Sequence, residues 1–392
     1  MSLNDTSCDI LVVGAGIAGL SAAVTSAEKG CRTILIEKDT HCGGIIRNAF
    51  LNEMCGLFYS DKNQSPILLN DGLSKRIYQT LAQSNPYRLR QKGKVIVLPI
   101  KRDKLFTYFE RLLKVNNLLD VRYNHEMISL TKSKTQIKNV VVKNNLNSKT
   151  STITPKIVID CSGSGSVLTA AEQKDSEYPN KQLSGVTIII ESTTKCDALL
   201  ALKVPYSLNT AVKEGKFPNY VKFTTVSQGE KNDELNIKVN IDSTIDSFLQ
   251  IKNTLTDIHS YLKENIDSLR DSTIKYISPK ICHREENRLK GRYIITESDI
   301  ITGRKFKDGC IKCAWPIEYW DIYNGVSYQY LKSDDYYEIP IRCMQAADIS
   351  NLYAAGRCIA ATPKALASTR VTGICMSLGE QAALSAVARL KD

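Results

Sequence analysis

Apolar positions run unbroken through Ile10-Leu-Val-Val13, give way to Gly14-Ala-Gly16-Ile-Ala-Gly19, and resume in an alanine-rich stretch that stops at Lys29-Gly30. The run predicts a strand, the glycines a phosphate loop and the alanine stretch a helix. Gly14 permits the tight turn, Gly16 lets backbone approach a pyrophosphate, and Gly19 lets the helix press on the sheet. Ala15, Ile17 and Ala18 complete a loop whose helix N-terminus faces the phosphates. Arg32-Thr-Ile-Leu-Ile36 predicts a second strand ending in Glu37, 18 residues past Gly19, where an acid grips a ribose hydroxyl pair; Lys38 follows it. Strand, loop, helix, strand and acid in this register imply a bound dinucleotide.

Further along, Lys104 to Leu113 has helical spacing, and Val121–Tyr123, Met127–Leu130 and Ile137–Val142 read as short strands. Lys156-Ile-Val-Ile-Asp160 predicts a buried parallel strand, and its glycine-serine turn at Cys161 to Ser166, with Gly163, suits a second approach of backbone to the cofactor. Asn351-Leu-Tyr-Ala-Ala-Gly356 repeats that design. A final helix is expected from about Val371 to Leu390, its first amides at Thr369 to Ile374 placed to stabilise negative charge on a reduced ring. Between these ends, Ser184–Ile190 predicts a strand, Ile245–Leu269 one or two helices, and Tyr293 a further strand.

With 392 residues and 43% apolar content, the chain is long enough for two domains. The apolar run from Ile10 to Val24 is too short and too glycine-rich for a membrane span, and Met1 to Thr6 lacks a secretory pattern, so a cytoplasmic location is expected. Twelve cysteines in a reducing compartment read as small buried hydrophobes. Cys310-x-x-Cys313 is the only close pair and has no partner pair for a metal, so no metal is expected. The net charge of +11 raises nucleic acid as a partner. Lys132, Lys134, Lys138, Lys143 and Lys149, however, lie in a polar stretch without interleaved aromatics, which argues against RNA and for attraction of small anions.

The chain resembles the FAD-dependent oxidoreductases of the glutathione-reductase-like superfamily, related to fumarate-reductase-type flavoproteins. The resemblance rests on Val13-Gly-Ala-Gly-Ile-Ala-Gly19, Glu37-Lys-Asp-Thr-His-Cys-Gly-Gly44, Asp160-Cys-Ser-Gly-Ser-Gly165, Arg284-Glu-Glu-Asn-Arg-Leu-Lys-Gly291 with Thr296-Glu-Ser-Asp299, Tyr337-Glu-Ile-Pro-Ile-Arg342, and Leu352 to Thr362 with Ser368-Thr-Arg-Val371. It implies an α/β fold, a Rossmann-like FAD-binding domain of glutathione-reductase type with an inserted α+β substrate or cap domain. The expected division is residues 1–60, 95–172 and 340–392 for FAD, and 61–94 with 173–339 for the cap. It further implies that Gly14, Gly16, Gly19 and Glu37 hold the ADP half. Cys42, Gly43 and Gly44 would pass near the ribityl or ring, Gly356 and Arg357 would lie near the pyrophosphate, Gly373 and Ile374 would face the flavin pyrimidine, and backbone at Met127 would meet adenine. His41 stands where some relatives attach flavin covalently, and non-covalent FAD is the plainer reading. Cys42 precedes the paired glycines and Cys55 is the next cysteine, a spacing unlike that of disulfide reductases.

For the chemistry, arginine forks suit carboxylate capture, with Arg284, Arg342 and Arg370 as candidates. His283 is the candidate general base, with Tyr319 and Tyr323 behind it. An ion-pair network of Arg284, Glu285 and Arg288 that fastens the cap is an equal reading. The leading expectation is a dehydrogenase or oxidase moving hydride between flavin N5 and a small anionic metabolite. Alternatives are an NAD(P)H-dependent monooxygenase, for which no second G-x-G-x-x-G is present, and a flavoprotein that binds RNA or a protein partner.

Overall fold

The computed structural model describes residues 6–59, 66–84, 89–175, 182–192, 196, 198–245, 247–331 and 335–391. The expected boundary at 60/61 lies outside these. Strand β1 (Thr6–Val13) leads through the glycine loop into helix α1 (Ile17–Glu28) and then β2 (Thr33–Glu37). β3 (Leu119–Tyr123), β4 (His125–Lys132), β5 (Ile137–Asn144) and β6 (Thr150–Asp160) follow. They form one sheet in the order β3-β2-β1-β6-β5-β4, with β3, β2, β1 and β6 parallel. Alternate side chains of each parallel strand feed opposite faces: Ile10, Val12 and Leu35 pack on one side, Leu11, Val13 and Ile36 on the other. Such two-sided burial is the property the unbroken apolar runs announce.

β6 is longer than its apolar core and changes partner along its length. Its polar half, Thr150–Ile153, pairs antiparallel with β5, while Val158–Asp160 pairs parallel with the short strand Leu352–Ala354. The lysine-rich segment is the β4–β5 hairpin.

The cap has its own sheet and core. β7 (Ser184–Glu191) is flanked by β9 (Glu234–Ile241) and β10 (Thr273–Ile277), with β8 (Thr225–Gln228) outside β9, all antiparallel. Helices α2 (Leu200–Lys213) and α3 (Phe248–Asn265) cover the sheet, closing a core around Ile188, Val204, Ile237 and Ile258. Around Tyr293 the expected strand does not form. The segment makes only isolated bridges at Gly291 and Ile295, because its backbone groups bond to Arg342, Gln345 and Ala360 in loops rather than along one ladder.

The closing helix, Thr372–Lys391, lies across α1, and glycines set the spacing. A Cβ on Gly19 would meet the Gly14 carbonyl oxygen at 1.8 Å, and one on Gly379 would meet the Ala18 oxygen at 1.9 Å. Among the described residues no single helix is long and apolar enough to cross a membrane. The bent pair Pro363–Thr369 and Thr372–Lys391 passes that test together, but the two helices meet at 94°. Replacing Gly379 by alanine forces α1 and the closing helix apart, and the expected cost is about 1–3 kcal/mol. A thermal melt of Gly379→Ala with an unchanged midpoint would contradict this packing.

Candidate functional site

The loop and helix N-terminus open on a cleft of about 480 Å³ lined by Gly14, Gly16, Ile17 and Ala18. The first helical bond runs from the Leu20 N–H to the Gly16 oxygen, so the preceding amides of α1 are left for a ligand. A Cβ on Gly16 would meet nothing within 4 Å, so the space above it is open rather than packed. Gly43 donates its N–H to the Ala15 oxygen at 2.9 Å, and Gly44, at φ +49°, brings backbone against Gly16. The opposite wall is Cys161–Ser164 and Ala355–Arg357, the turns after β6 and after Leu352–Ala354. Asp160, fully buried, ties the first of these turns in place: its carboxylate accepts the Ser162 N–H and hydroxyl and the amides of Val167 and Leu168.

Glu37 lines the cleft and is 8% exposed. One carboxylate oxygen accepts the Ala15 N–H at 2.7 Å and the other the Asp39 N–H at 3.0 Å, which fixes its orientation without a cationic partner among the described residues. Lys38 and Asp39 continue that wall. Across from them Lys280 forms an ion pair with Asp39 and, with Pro279, Cys282 and His283, brings a cap segment to the cleft. The sequence gives no motif for Lys280 or Cys282; they arrive because β10 ends there.

Arg357 donates from Nη2 to Glu286 Oε2 at 3.3 Å, while its buried Nε has no partner. Its guanidinium occupies the place a side chain at Gly163 would take, 2.5 Å from a Cβ there. Arg370 donates from Nη2 to the Glu318 carbonyl at 3.0 Å, and its Nε too is buried and unpartnered. His283 shares a 2.9 Å hydrogen bond between Nδ1 and the Ser184 hydroxyl. Arg357, Arg370 and His283 all line the cleft. Open helix amides, an orphaned guanidinium nitrogen and glycine backbone suit an anionic dinucleotide such as FAD.

Other expected residues lie elsewhere. Ala15 and Gly19 support the loop from behind. Cys42 is buried below the wall, its thiol pushed up by burial and drawn down in part by Tyr123. Met127 sits opposite Val142 in the β4–β5 ladder and is not on the cleft wall. Gly373 spends its N–H on the Cys55 oxygen at 2.8 Å and Ile374 is fully buried, so Thr372 and Cys375 line the cleft at the closing helix instead. Arg342 pairs with Asp308 at 2.8 Å, and its side chain is 43% exposed. Arg284 is excluded from the Glu285–Arg288 ion pair, which closes at 3.0 Å, and lies under the cap off the cleft wall. Tyr319 is half-buried and Tyr323 is exposed. His41 is half-buried, off the cleft wall, with no partner for its Nδ1. All twelve cysteines are free thiols, and burial pushes Cys55 up to about 12. Among the described residues no group of histidine, cysteine or acid could hold a metal.

The family model described as FAD dependent oxidoreductase matches residues 9–392. The chain belongs to this family. It is an FAD-dependent enzyme with a Rossmann-like α/β fold. Among solved structures, a geranylgeranyl bacteriochlorophyll reductase-like protein from Thermoplasma acidophilum is similar over 99% of this chain and 80% of its own, at 15% identity and a TM-score of 0.53. The p-nitrophenol 4-monooxygenase of Pseudomonas putida covers 98% and 81%, at 12% identity and a TM-score of 0.49. The L-proline dehydrogenase of P. horikoshii covers 97% and 93%, at 13% and 0.46. At 15% identity the likeness to the first of these speaks to the fold alone. No curated protein matches the sequence.

Glu37→Gln replaces an oxygen that holds a loop amide with a donor. FAD affinity is expected to fall at least about tenfold, because the acceptor for Ala15 or Asp39 is lost and with it the aim of the loop. Quenching of flavin fluorescence on reconstitution of the apoprotein measures it, and equal affinity would remove Glu37 from the site.

Proposed function

We propose that this enzyme transfers a hydride between N5 of FAD and a small anionic metabolite, as a dehydrogenase or oxidase. The observation that carries the reading is that His283 and Arg370 line the same cleft as the dinucleotide glycines, so groups suited to proton and anion handling sit beside the cofactor's place. In this reading residues 61–94 and 173–339 are the cap over the flavin.

When bound, FAD supplies a hydride acceptor that the side chains themselves lack. The chain does the rest. Gly14, Gly16 and Glu37 hold the ADP half, Arg357 neutralises phosphate charge, and Gly43 and Gly44 keep the wall thin. The Ser184 hydroxyl fixes the His283 ring at Nδ1, and the imidazole takes the substrate proton as the hydride leaves. Arg370 offers Nε–H to the anionic group of the substrate.

In anaerobic titration the flavin band is expected to stay oxidised with NADH and NADPH and to bleach with the organic substrate. Rapid bleaching by either nicotinamide, with oxygen-dependent product, would move the enzyme to the monooxygenases. His283→Gln is expected to keep its flavin and lose about 10²–10⁴-fold in reductive half-reaction rate. Stopped-flow reduction at unchanged rate would take His283 out of the proton path.

A further inference from the structure

Beneath the cap, reaching back from Arg370 on the cleft wall, lies a cluster of charge that the dinucleotide loop does not touch. Lys238 interrupts the buried run of β9, is itself only half-buried, and places its ammonium 5.8 Å from the centre of the Trp320 ring, with no hydrogen bond or ion pair among the described residues. Its stem crosses Gly185: a Cβ there would lie 3.1 Å from Lys238 Cε and 3.9 Å from Arg284 Nη2, so the missing side chain makes room for two cations. The Arg284 guanidinium lies 4.3 Å from the centre of the Trp320 ring and is committed to the Leu183 and Asn240 oxygens. Arg370 adds a third cation, and Gln182, which accepts from Arg370 at 3.5 Å, has its buried Nε2 unpartnered.

Glu318 is the carboxylate beside these cations, and each of its oxygens accepts an indole N–H, Oε1 that of Trp320 at 2.9 Å and Oε2 that of Trp315 at 3.3 Å, with no direct bond from the carboxylate to Lys238, Arg284 or Arg370 among the described residues. Buried donors without acceptors are uncommon, and unmatched buried cations are costly. Here the buried Arg370 Nε–H and a Gln182 Nε2–H lack acceptors, beside an ammonium that has only the Trp320 ring face. Burial, then Arg284, pushes Lys238 down to about 8, with Glu318 opposing.

We propose that Lys238, Arg370 and Gln182 form a carboxylate subsite under the cap, entered from the cleft past Arg370, with Arg284 and Trp320 as its backing. A carboxylate brings one negative charge and two oxygens that each accept two hydrogen bonds, which the ammonium, the guanidinium Nε–H and the amide NH2 can fill. The substrate is then a small organic acid, a statement that rests on the hydride-transfer reading only in naming the ligand a substrate.

Trp315 and Trp320 are the only tryptophans in the chain and both bond Glu318, so at constant flavin occupancy their emission responds to changes in this cluster. Succinate and, separately, inorganic phosphate are titrated into the FAD-loaded protein while tryptophan emission is followed. Succinate is expected to give a saturable change that weakens tenfold or more in Lys238→Met. In the unaltered protein the affinity falls as pH rises through about 8, where the ammonium facing Arg284, Glu318, Arg370 and Cys282 loses its proton. Lys238→Arg keeps binding and shifts that fall to much higher pH, a readout that stands if Lys238→Met does not fold. No saturable change with succinate, binding of phosphate alone, or an unaltered pH profile in Lys238→Arg overturns the subsite. Succinate binding in a protein whose flavin only nicotinamides reduce would sink the hydride-transfer reading and leave the subsite standing. Flavin reduction by a neutral substrate, without an anion response, would do the reverse.

Discussion

Helix α1 is pinned between backbones, by the Gly14 carbonyl next to Gly19 on one side and by Gly379 of the closing helix against the Ala18 carbonyl on the other. Neither contact tolerates a side chain, and together they set where the first amides of α1 point. Everything that shapes the cofactor cleft is referred to that helix: Gly43 and Gly44 through Ala15 and Gly16, Gly356 through the Ala18 methyl, and Glu37 through the Ala15 amide. An anion-binding helix end works only when its amides are kept free and aimed. Here the aim comes from packing behind the helix rather than from contacts in the cleft.

The phosphate loop, its acid and the turns at Gly163 and Gly356 were legible because local chemistry dictates them: glycine where backbone must approach backbone, an apolar run where a strand is buried on both faces. What failed was placement that depends on distant partners. Tyr293 has strand-like neighbours but no strand to pair with, and Gly373 meets the Cys55 carbonyl, some three hundred residues earlier in the chain. Arg342 and Arg284 are both arginines near family motifs, yet Asp308 claims one and the Leu183 and Asn240 oxygens the other. No periodicity announces such partners. Lys238 did carry a signal, a lysine inside an otherwise buried strand, which only gains meaning once Gly185 and Trp320 are seen beside it.

The two halves of the site solve opposite electrostatic problems. At the glycine-loop end, helix dipole and single hydrogen bonds suit spread-out phosphate charge, and the Glu37 carboxylate there is held by amides. Under the cap, full charges are crowded and partly unpaired, an arrangement stable only because the surrounding cap core is well packed. A protein that tolerates such crowding in the absence of a ligand gains affinity when the ligand brings the missing charge.

The change of partner along β6 has a consequence for how the molecule assembles. Its polar half pairs with β5 a few residues away, whereas its last three residues wait for Leu352–Ala354, so one strand belongs to both an early and a late part of the chain. Contacts of such long sequence separation form slowly, since the loop must be closed before the pairing repays it. The Cys161–Ser164 wall of the cleft can therefore take shape early, but Ala355–Arg357 and the closing helix reach it only when nearly all of the chain has emerged and folded. The cleft, whose walls come from both ends of the chain, is then among the last parts of the molecule to be completed, so a ligand that fills it meets a site only in a chain that has closed.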